Sequence, residues 1–371
     1  MKRLPDPARK INAWVLSLDL HKRITVWVLL DRRGRFVDEG QIPSRPRDLL
    51  ELFKTRIGRK KAHVAMEAGG NVHWAFDTSL EYFQDPTRVH VAHPKHVRAI
   101  ANSTQKNDRN DAWWLAYLTY EQRLPEVYIP QERHRELRLA TRERTAFVQE
   151  RTRTIKRIHA ILRQKGHALP QGALQSGAEN PRVQDALSKL DGVVRTAVEQ
   201  LLEHLVILSR RIGTWDAEIK RLTGDWEDVC LLEKSMPGVG RTLAAVIVAE
   251  SGPIQRFVSA KAYGRYSGLV PSERSSAGQT RFGSISREGN AQLRWALTQA
   301  VSACRRTKHG LGVAVRQWVE VRIQRLGSTK KAIVAAARKL AEAIWRLFEL
   351  GEVFDLERIF GRVPLEARVR A

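Results

Sequence analysis

The sequence predicts an α/β domain followed by a larger, mostly helical region. Three observations lead there. Up to about residue 130, short apolar runs rich in β-branched residues alternate with helical spacing. Beyond Pro130 long charged helical stretches take over. Leu201, Leu205, Leu208, Ile212, Trp215, Ile219 and Leu222 then recur at spacings of 4, 3, 4, 3, 4 and 3, the period of a coiled-coil seam.

In chain order, WVLSLDLHKRITVWV at 14–28 is an apolar run broken by Asp19 and followed by a second such run. DRRG at 31–34 signals a turn and FVDEGQI resembles a third strand, so the chain opens on a three-stranded meander. RPRDLLELFKTRI at 45–57 has helical spacing, and KKAHVAMEA at 60–68 returns to a strand ending on Glu67. A further helix and the short strand VHVAHP at 89–94 complete an α/β layer. Residues 131–165 are dense in Arg, Glu and Lys, and a Gly/Pro/Ser-bearing stretch from Gly166 to Pro181 separates them from the seam. Two helices joined by a loop suggest an antiparallel arm or a dimerisation element. From about Asp228 a third, mostly helical region begins, interrupted by a glycine- and serine-rich stretch at 267–290. The expected domains are therefore 1–130, 131–227 and 228–371.

The 371 residues carry 64 Lys and Arg against 40 Asp and Glu, a formal charge of +24 spread through most of the chain. Such an excess points to a polyanionic partner, because each phosphate neutralised by Lys or Arg releases condensed counterions. Cys230 and Cys304 stand far apart without CxxC spacing, which argues against a zinc module and a disulfide scaffold. No apolar run approaches the ~20 residues that span a bilayer, and MKRLPDPARK lacks the apolar core of a signal peptide. A cytoplasmic protein with no membrane partner is expected.

Against that basic background the carboxylates stand out. Asp19 sits inside the first apolar strand, where an unpaired charge would cost several kcal/mol if buried. Glu67 ends another strand of the same layer. In NDRNDAWWLAYL, with Asn107 as N-cap, Asp108 and Asp111 fall at i and i+3 and share one helix face. Four such carboxylates from two strands and a helix start could converge on divalent metal, and hard oxygen ligands favour magnesium or manganese. Two ions ~3.5–4 Å apart would suit phosphoryl transfer. The simpler alternative is that Asp108 and Asp111 complement the helix dipole while Asp19 pairs with Lys or Arg.

VLSLDLHK, HVAMEAGG and QKNDRNDA, in that order, resemble the DEDD-type insertion-sequence transposases, whose N-terminal domain is RuvC-like with a ribonuclease H fold. MPGVGRTLAAVIVAE, YSGLVPSERSSAGQTRFGSISREGNAQLRWAL and KKAIVAAARKL extend the resemblance over almost the whole chain. It implies that 1–130 is a RuvC-like domain whose metal-binding tetrad is Asp19, Glu67, Asp108 and Asp111. It further implies that 228–371 is a C-terminal transposase domain with a nucleophilic serine, while the heptad spacing makes 131–227 a coiled-coil linker or arm. Aligning PSERSS and the downstream GN places that serine on Ser276, with Ser275 as the alternative; Ala277 follows where the family usually has glycine. From the residues alone Ser275 and Ser276 read as turn formers, since the segment offers no His to act as base. Arg274, Arg281, Arg287 and Arg294 flank them and could neutralise phosphate oxygens.

KSMPGVGRTLAAVIVAESG at 234–252 looks like a helix-hairpin-helix, in which Gly238, Gly240 and Arg241 would present backbone N–H groups and a cation to a phosphate. The resemblance implies a composite active site between subunits, hence a homodimer or tetramer, acting on donor and target DNA under a structured non-coding bridge RNA. It also implies a nucleoid-associated place in a bacterial or archaeal cell. The basic run from Arg133 to Arg163, including Arg153 and Arg157, suits an RNA duplex, although its interleaved Glu residues could instead form i, i+4 pairs. Two other functions compete. A junction-resolving nuclease of the same fold would need no serine, and a noncatalytic RNA-binding scaffold would use the carboxylates structurally.

Overall fold

Alternation in β1 (Trp14–Leu20) sends Leu16 and Leu18 to one face and Val15 and Ser17 to the other, and all four are fully buried. A sheet built on such a strand must be covered twice. β2 (Ile24–Leu30) and β3 (Phe36–Pro43) complete an antiparallel meander. α1 (Pro46–Leu52) runs into a π-helical turn at Phe53–Ile57, then β4 (Ala62–Glu67), α2 (Val72–Phe83) and β5 (Val89–Ala92) follow. β4 and β5 add in parallel on the other side of β1, giving the order β3-β2-β1-β4-β5. Leu49, Leu52, Phe53 and Ala75 close the face bearing Leu16, Leu18, Val64 and Met66. Each of the Leu, Val, Met and Phe side chains, fully buried, contributes about 1.5–3 kcal/mol.

After α3 (Pro94–Ala101), α4 (Asp108–Tyr120) covers the opposite face, laying Ala112, Ala116 and Tyr120 on Val15, Val26, Val28 and Leu30. This mixed sheet with helices on both faces is consistent with the RuvC-like domain that the resemblance implies. The computed structural model describes residues 10–101, 108–170, 172–177, 179–276, 279–285, 288–307, 311–352 and 355–361. At 98–101, 108, 175–176, 273–276, 279–282, 311 and 356–357 it describes the backbone path only. The chain divides into two compact units, Met1–Ile129 and Pro130–Ala371.

The second unit is mostly helical. α5 (Glu132–Gln164), α6 (Pro181–Ser188) and α7 (Gly192–Leu222) form its first part. Pairs of Arg133 with Asp225, Arg144 with Asp216 and Glu150 with His204 run up one chain segment and down the other, so α5 and α7 are antiparallel. Within the apolar seam Leu205, Leu208, Ile212 and Ile219 are buried inside a single chain. Within the chain the seam helix packs along α5.

α8 (Glu227–Ser235), α9 (Arg241–Ser251), α10 (Ala260–Tyr266), the hairpin of β6 (Pro271–Ser276) and β7 (Gln279–Ile285), α11 (Ala291–Arg306), α12 (Leu311–Leu326), α13 (Thr329–Leu350) and α14 (Leu356–Phe360) follow. Their core centres on α9, α11 and α13, and Leu137, Ala140 and Ile219 of the arm belong to the same core. Among the described residues no helix is long and apolar enough to cross a membrane.

Candidate functional site

Asp19 is the sixth residue of β1, and alternation puts it on the face of Val15 and Ser17, the one α4 covers. Glu67 closes β4, where Val64 and Met66 turn to the other core, so it lies on the α4 face as well. β1 and β4 are parallel neighbours paired Leu18 to Met66, and one step further the register sets Asp19 beside Glu67 at adjacent strand ends.

α4 runs opposite to β1. The Ile11 N–H donates to the Tyr120 carbonyl at 3.0 Å, and the Ser17 hydroxyl donates to the Ala112 carbonyl at 2.6 Å. The start of α4, with Asp108 and Asp111, therefore lies toward the end of β1 that carries Asp19. Arg109 Nε donates to Glu39 Oε2 of β3 at 2.6 Å and holds that helix start in place. Asp111 is half-buried, and of Asp108 the backbone position alone is described. Asn107, expected as N-cap, lies outside the described residues. Asp19 Oδ2 stands 3.1 Å from His21 Nε2 and its side chain is 13 % exposed. Among the described residues no three His, Cys, Asp or Glu side chains stand close enough together to chelate a metal ion. A cavity of about 460 Å³, lined in part by Lys10, Lys61, His63, His90 and Glu126, lies at the opposite end of the sheet from the carboxylates.

Ser275 and Ser276 end β6, paired with Thr280 and Gln279 of β7. The backbone of both serines is therefore extended, within a strand pair; Ala277 and Gly278, which follow them, lie outside the described residues. The side chains of Arg274, Ser275, Ser276 and Arg281, and all of Arg287, lie outside what is described. Arg294, on the first turn of α11, donates from Nη1 to the Ser267 carbonyl at 3.3 Å.

A buried carboxylate ties together the helices that flank the strand pair in sequence. Glu250 near the end of α9 is 0 % exposed, and Arg142 donates to both of its oxygens at 2.7 and 2.9 Å. That pairing holds the Arg142 guanidinium above its ordinary pKa. Asn290 Nδ2 donates to Glu250 Oε2 at 2.7 Å, and Asn290 Oδ1 accepts from the Gln292 and Leu293 N–H groups as the N-cap of α11. Arg138 donates to the carbonyls of Ala249 and Glu250 at 2.7 and 2.9 Å. One carboxylate thus joins α5, α9 and the start of α11.

The turn between α8 and α9 is packed closely. Gly238 has φ +78°, and a Cβ there would meet the Ala303 carbonyl carbon at 3.0 Å. The Cys304 thiol donates to the Pro237 carbonyl at 2.8 Å, and burial pushes its pKa up to about 12, so it stays protonated. Gly238→Ala is expected to destabilise by about 1–3 kcal/mol, through left-handed strain and overpacking against α11. Gly240→Ala, at φ −84° with open space around it, should change stability far less. Thermal denaturation of both variants checks this; equal losses would mean that neither the strain nor the contact matters.

A DEDD-type transposase model of the IS110 group matches residues 16–166, and the transposase IS116/IS110/IS902 family model matches residues 231–312. The chain belongs to the DEDD-type insertion-sequence transposases. It is 27 % identical to the transposase for insertion sequence element IS1111A of Coxiella burnetii, across 92 % of this chain and 91 % of that one. It is 27 % identical to a probable family 20 transposase of Pseudomonas aeruginosa, across 91 % and 97 % of the two chains. A third relative, the transposase for IS1328 of Yersinia enterocolitica, is 26 % identical across 79 % of this chain and 85 % of its own.

Several basic residues of this transposase that suit nucleic acid also have partners within the fold. Arg241 donates to Glu233 Oε2 at 2.7 Å and to the Thr223 carbonyl at 3.0 Å, clamping the start of α9 to α8 and the end of α7. Arg133, Arg138, Arg142 and Arg144 serve Asp225, the α9 carbonyls, Glu250 and Asp216. These pairs run between elements distant in sequence. Arg153 and Arg157 remain exposed. Glu250 and Asn290 escaped sequence reasoning. A carboxylate closing the apolar run AAVIVAE carries the same signal that singled out Asp19 in its strand.

Proposed function

We propose that this transposase cleaves and rejoins DNA with divalent-metal assistance, using Asp19, Glu67, Asp108 and Asp111 as metal ligands and Ser276 as nucleophile. The observation that carries the metal site is the pairing of β1 with β4. It sets Asp19 and Glu67 side by side on the face α4 covers, while the antiparallel run of α4 brings its DxxD start to the same end. The donors suit Mg²⁺ or Mn²⁺, being hard carboxylate oxygens without sulfur or a cluster of imidazoles. Carboxylates gathered at one strand end repel one another, and a divalent cation relieves that repulsion. When bound, the ion supplies neutralisation of phosphate oxygens and lowers the pKa of a coordinated hydroxyl or water.

In the proposed reaction the Ser276 hydroxyl oxygen attacks phosphorus as its proton departs to a base. The new P–O bond forms while the bond to the leaving strand breaks, and the departing oxygen takes up a proton. Arg274, Arg281 and Arg287 would neutralise the phosphate from the same loop. The covalent link keeps the energy of the broken phosphodiester, so rejoining to a new end needs no ATP. Exposed Lys156 and Arg163 toward the end of α5 support a grip on a structured guide RNA, whose pairing would read donor and target sequence while the protein reads backbone. Strand exchange at two DNA sites calls for a dimer or tetramer on nucleic acid.

Trapping the protein on a nicked DNA substrate, with the adduct mapped by mass spectrometry, tests the chemistry. A phosphoserine-linked nucleotide on Ser276 is the expected result. An adduct on Ser275 moves the nucleophile by one residue, and metal-dependent cleavage with no adduct removes serine chemistry in favour of direct hydrolysis.

A further inference from the structure

The apolar stripe of α11, formed by Leu293, Ala296, Leu297, Ala300 and Val301, is fully buried, and Trp295 lies off it. Its indole is 39 % exposed, large for the residue type that buries the most apolar area, and core packing does not demand that placement. Among the described residues the Trp295 side chain makes no hydrogen bond or ring contact.

Trp295 instead forms one wall of a notch of about 360 Å³ whose other side is α5. Thr145 and Val148 give an apolar floor there, Gln149 and Thr152 a polar edge, and Arg144 and Arg153 the two ends. The two arginines differ. Arg144 is neutralised by Asp216 at 2.6 Å, whereas Arg153 is exposed and has no ion-pair partner among the described residues. Lys156 and Arg157, also exposed, continue its line of positive charge one turn along α5.

We propose that this notch holds an unpaired DNA base, stacked on Trp295, with its phosphate on Arg153 and the next phosphate toward Arg157. The proposal rests on the DNA-processing function above and adds to it a place for a base that has left the duplex. A volume at the small end of the range for ligand pockets, ~300–1,000 Å³, suits one nucleotide and not a duplex. Every base has a π-face, so an indole beside a free guanidinium recognises single strands without regard to sequence. Charge decides against a protein helix as occupant: a chain of formal charge +24 that ends an apolar notch in an unneutralised arginine is complementary to a polyanion. Strand exchange must unpair bases near the breakpoints, and a seat of this kind would keep them from re-pairing.

The test uses the full-length protein with a 12-nucleotide oligothymidylate, its duplex with oligoadenylate, and an oligouridylate of equal length. Trp295→Ala should weaken oligothymidylate binding about tenfold or more and duplex binding less than twofold, with Trp295→Phe close to the parent. Arg153→Ala should lower the slope of log affinity against log salt by about 0.7. Photocrosslinking of the parent protein to 5-iododeoxyuridine in the oligothymidylate should label Trp295, a readout independent of whether either variant folds. Labelling elsewhere, or unchanged single-strand affinity in a folded Trp295→Ala, would overturn the notch and leave DNA processing intact. Tighter oligouridylate binding with the same Trp295 dependence would overturn the DNA assignment in favour of RNA. No binding of any oligonucleotide by the parent protein at low salt would overturn the functional proposal along with the notch.

Discussion

Asp19→Asn is expected to abolish metal-dependent DNA cleavage, lowering the rate about a thousandfold or more while the fold survives. The substitution keeps the shape of the side chain and its ability to accept from His21, so the packing around β1 has no reason to change. What it removes is one negative charge at the strand end where Glu67 stands beside it. Loss of mutual repulsion should hold thermal stability level or raise it slightly without metal. The cation should then stabilise the parent protein and not the variant, since a ligand that binds only the folded state raises its melting temperature by mass action. Cleavage assays with thermal denaturation across a magnesium titration read both effects. A variant that cleaves at the parental rate, or gains the same stabilisation from magnesium, would falsify the metal assignment.

Replacing Glu250 by alanine is expected to cost about 3–5 kcal/mol in the C-terminal unit. Its carboxylate is wholly buried and receives Arg142, Asn290 and, at 3.5 Å, Arg138, so removal strands several donors at once. Arg142→Ala should cost a similar amount, because it leaves the wholly buried Glu250 carboxylate without its bidentate cation and with Asn290 and the more distant Arg138 as its remaining partners. Asp185→Ala, which breaks an exposed pair with Lys189, should change stability by less than about 1 kcal/mol. Because the two units need not unfold together, amide exchange in α9 is the appropriate measurement. Equal protection of α9 in Glu250→Ala and Asp185→Ala would show that the buried carboxylate is not a keystone.

Legibility in the sequence followed the range of the signal. β1 to β5 were readable because alternation and β-branched runs are local, and both Asp19 and Glu67 announced themselves as charges placed where a strand calls for apolar side chains. The two aspartates of α4 were readable from spacing alone. The partners of the arginines were not. Arg142 meets Glu250, and Arg241 meets the Thr223 carbonyl, only after helices distant in sequence have packed, and no local period encodes such a meeting. The seam at Leu201–Leu222 announced a helix partner but not its owner, since a heptad pattern is satisfied equally by another segment or another copy. The glycine- and serine-rich stretch hid a strand pair because small polar residues carry little alternation to read.

α5 spans 33 residues, about 50 Å at 1.5 Å per residue, and its base is bolted by Arg138 and Arg142 to the end of α9. Mechanically that is a lever with a fixed fulcrum. A tilt of about 5° about Arg138 and Arg142 would sweep the far end, about 36 Å away, through about 3 Å, and the same leverage works in reverse. Whatever grips the tip near Arg157 and Arg163 therefore applies torque to Glu250, and through Asn290 to the first turn of α11.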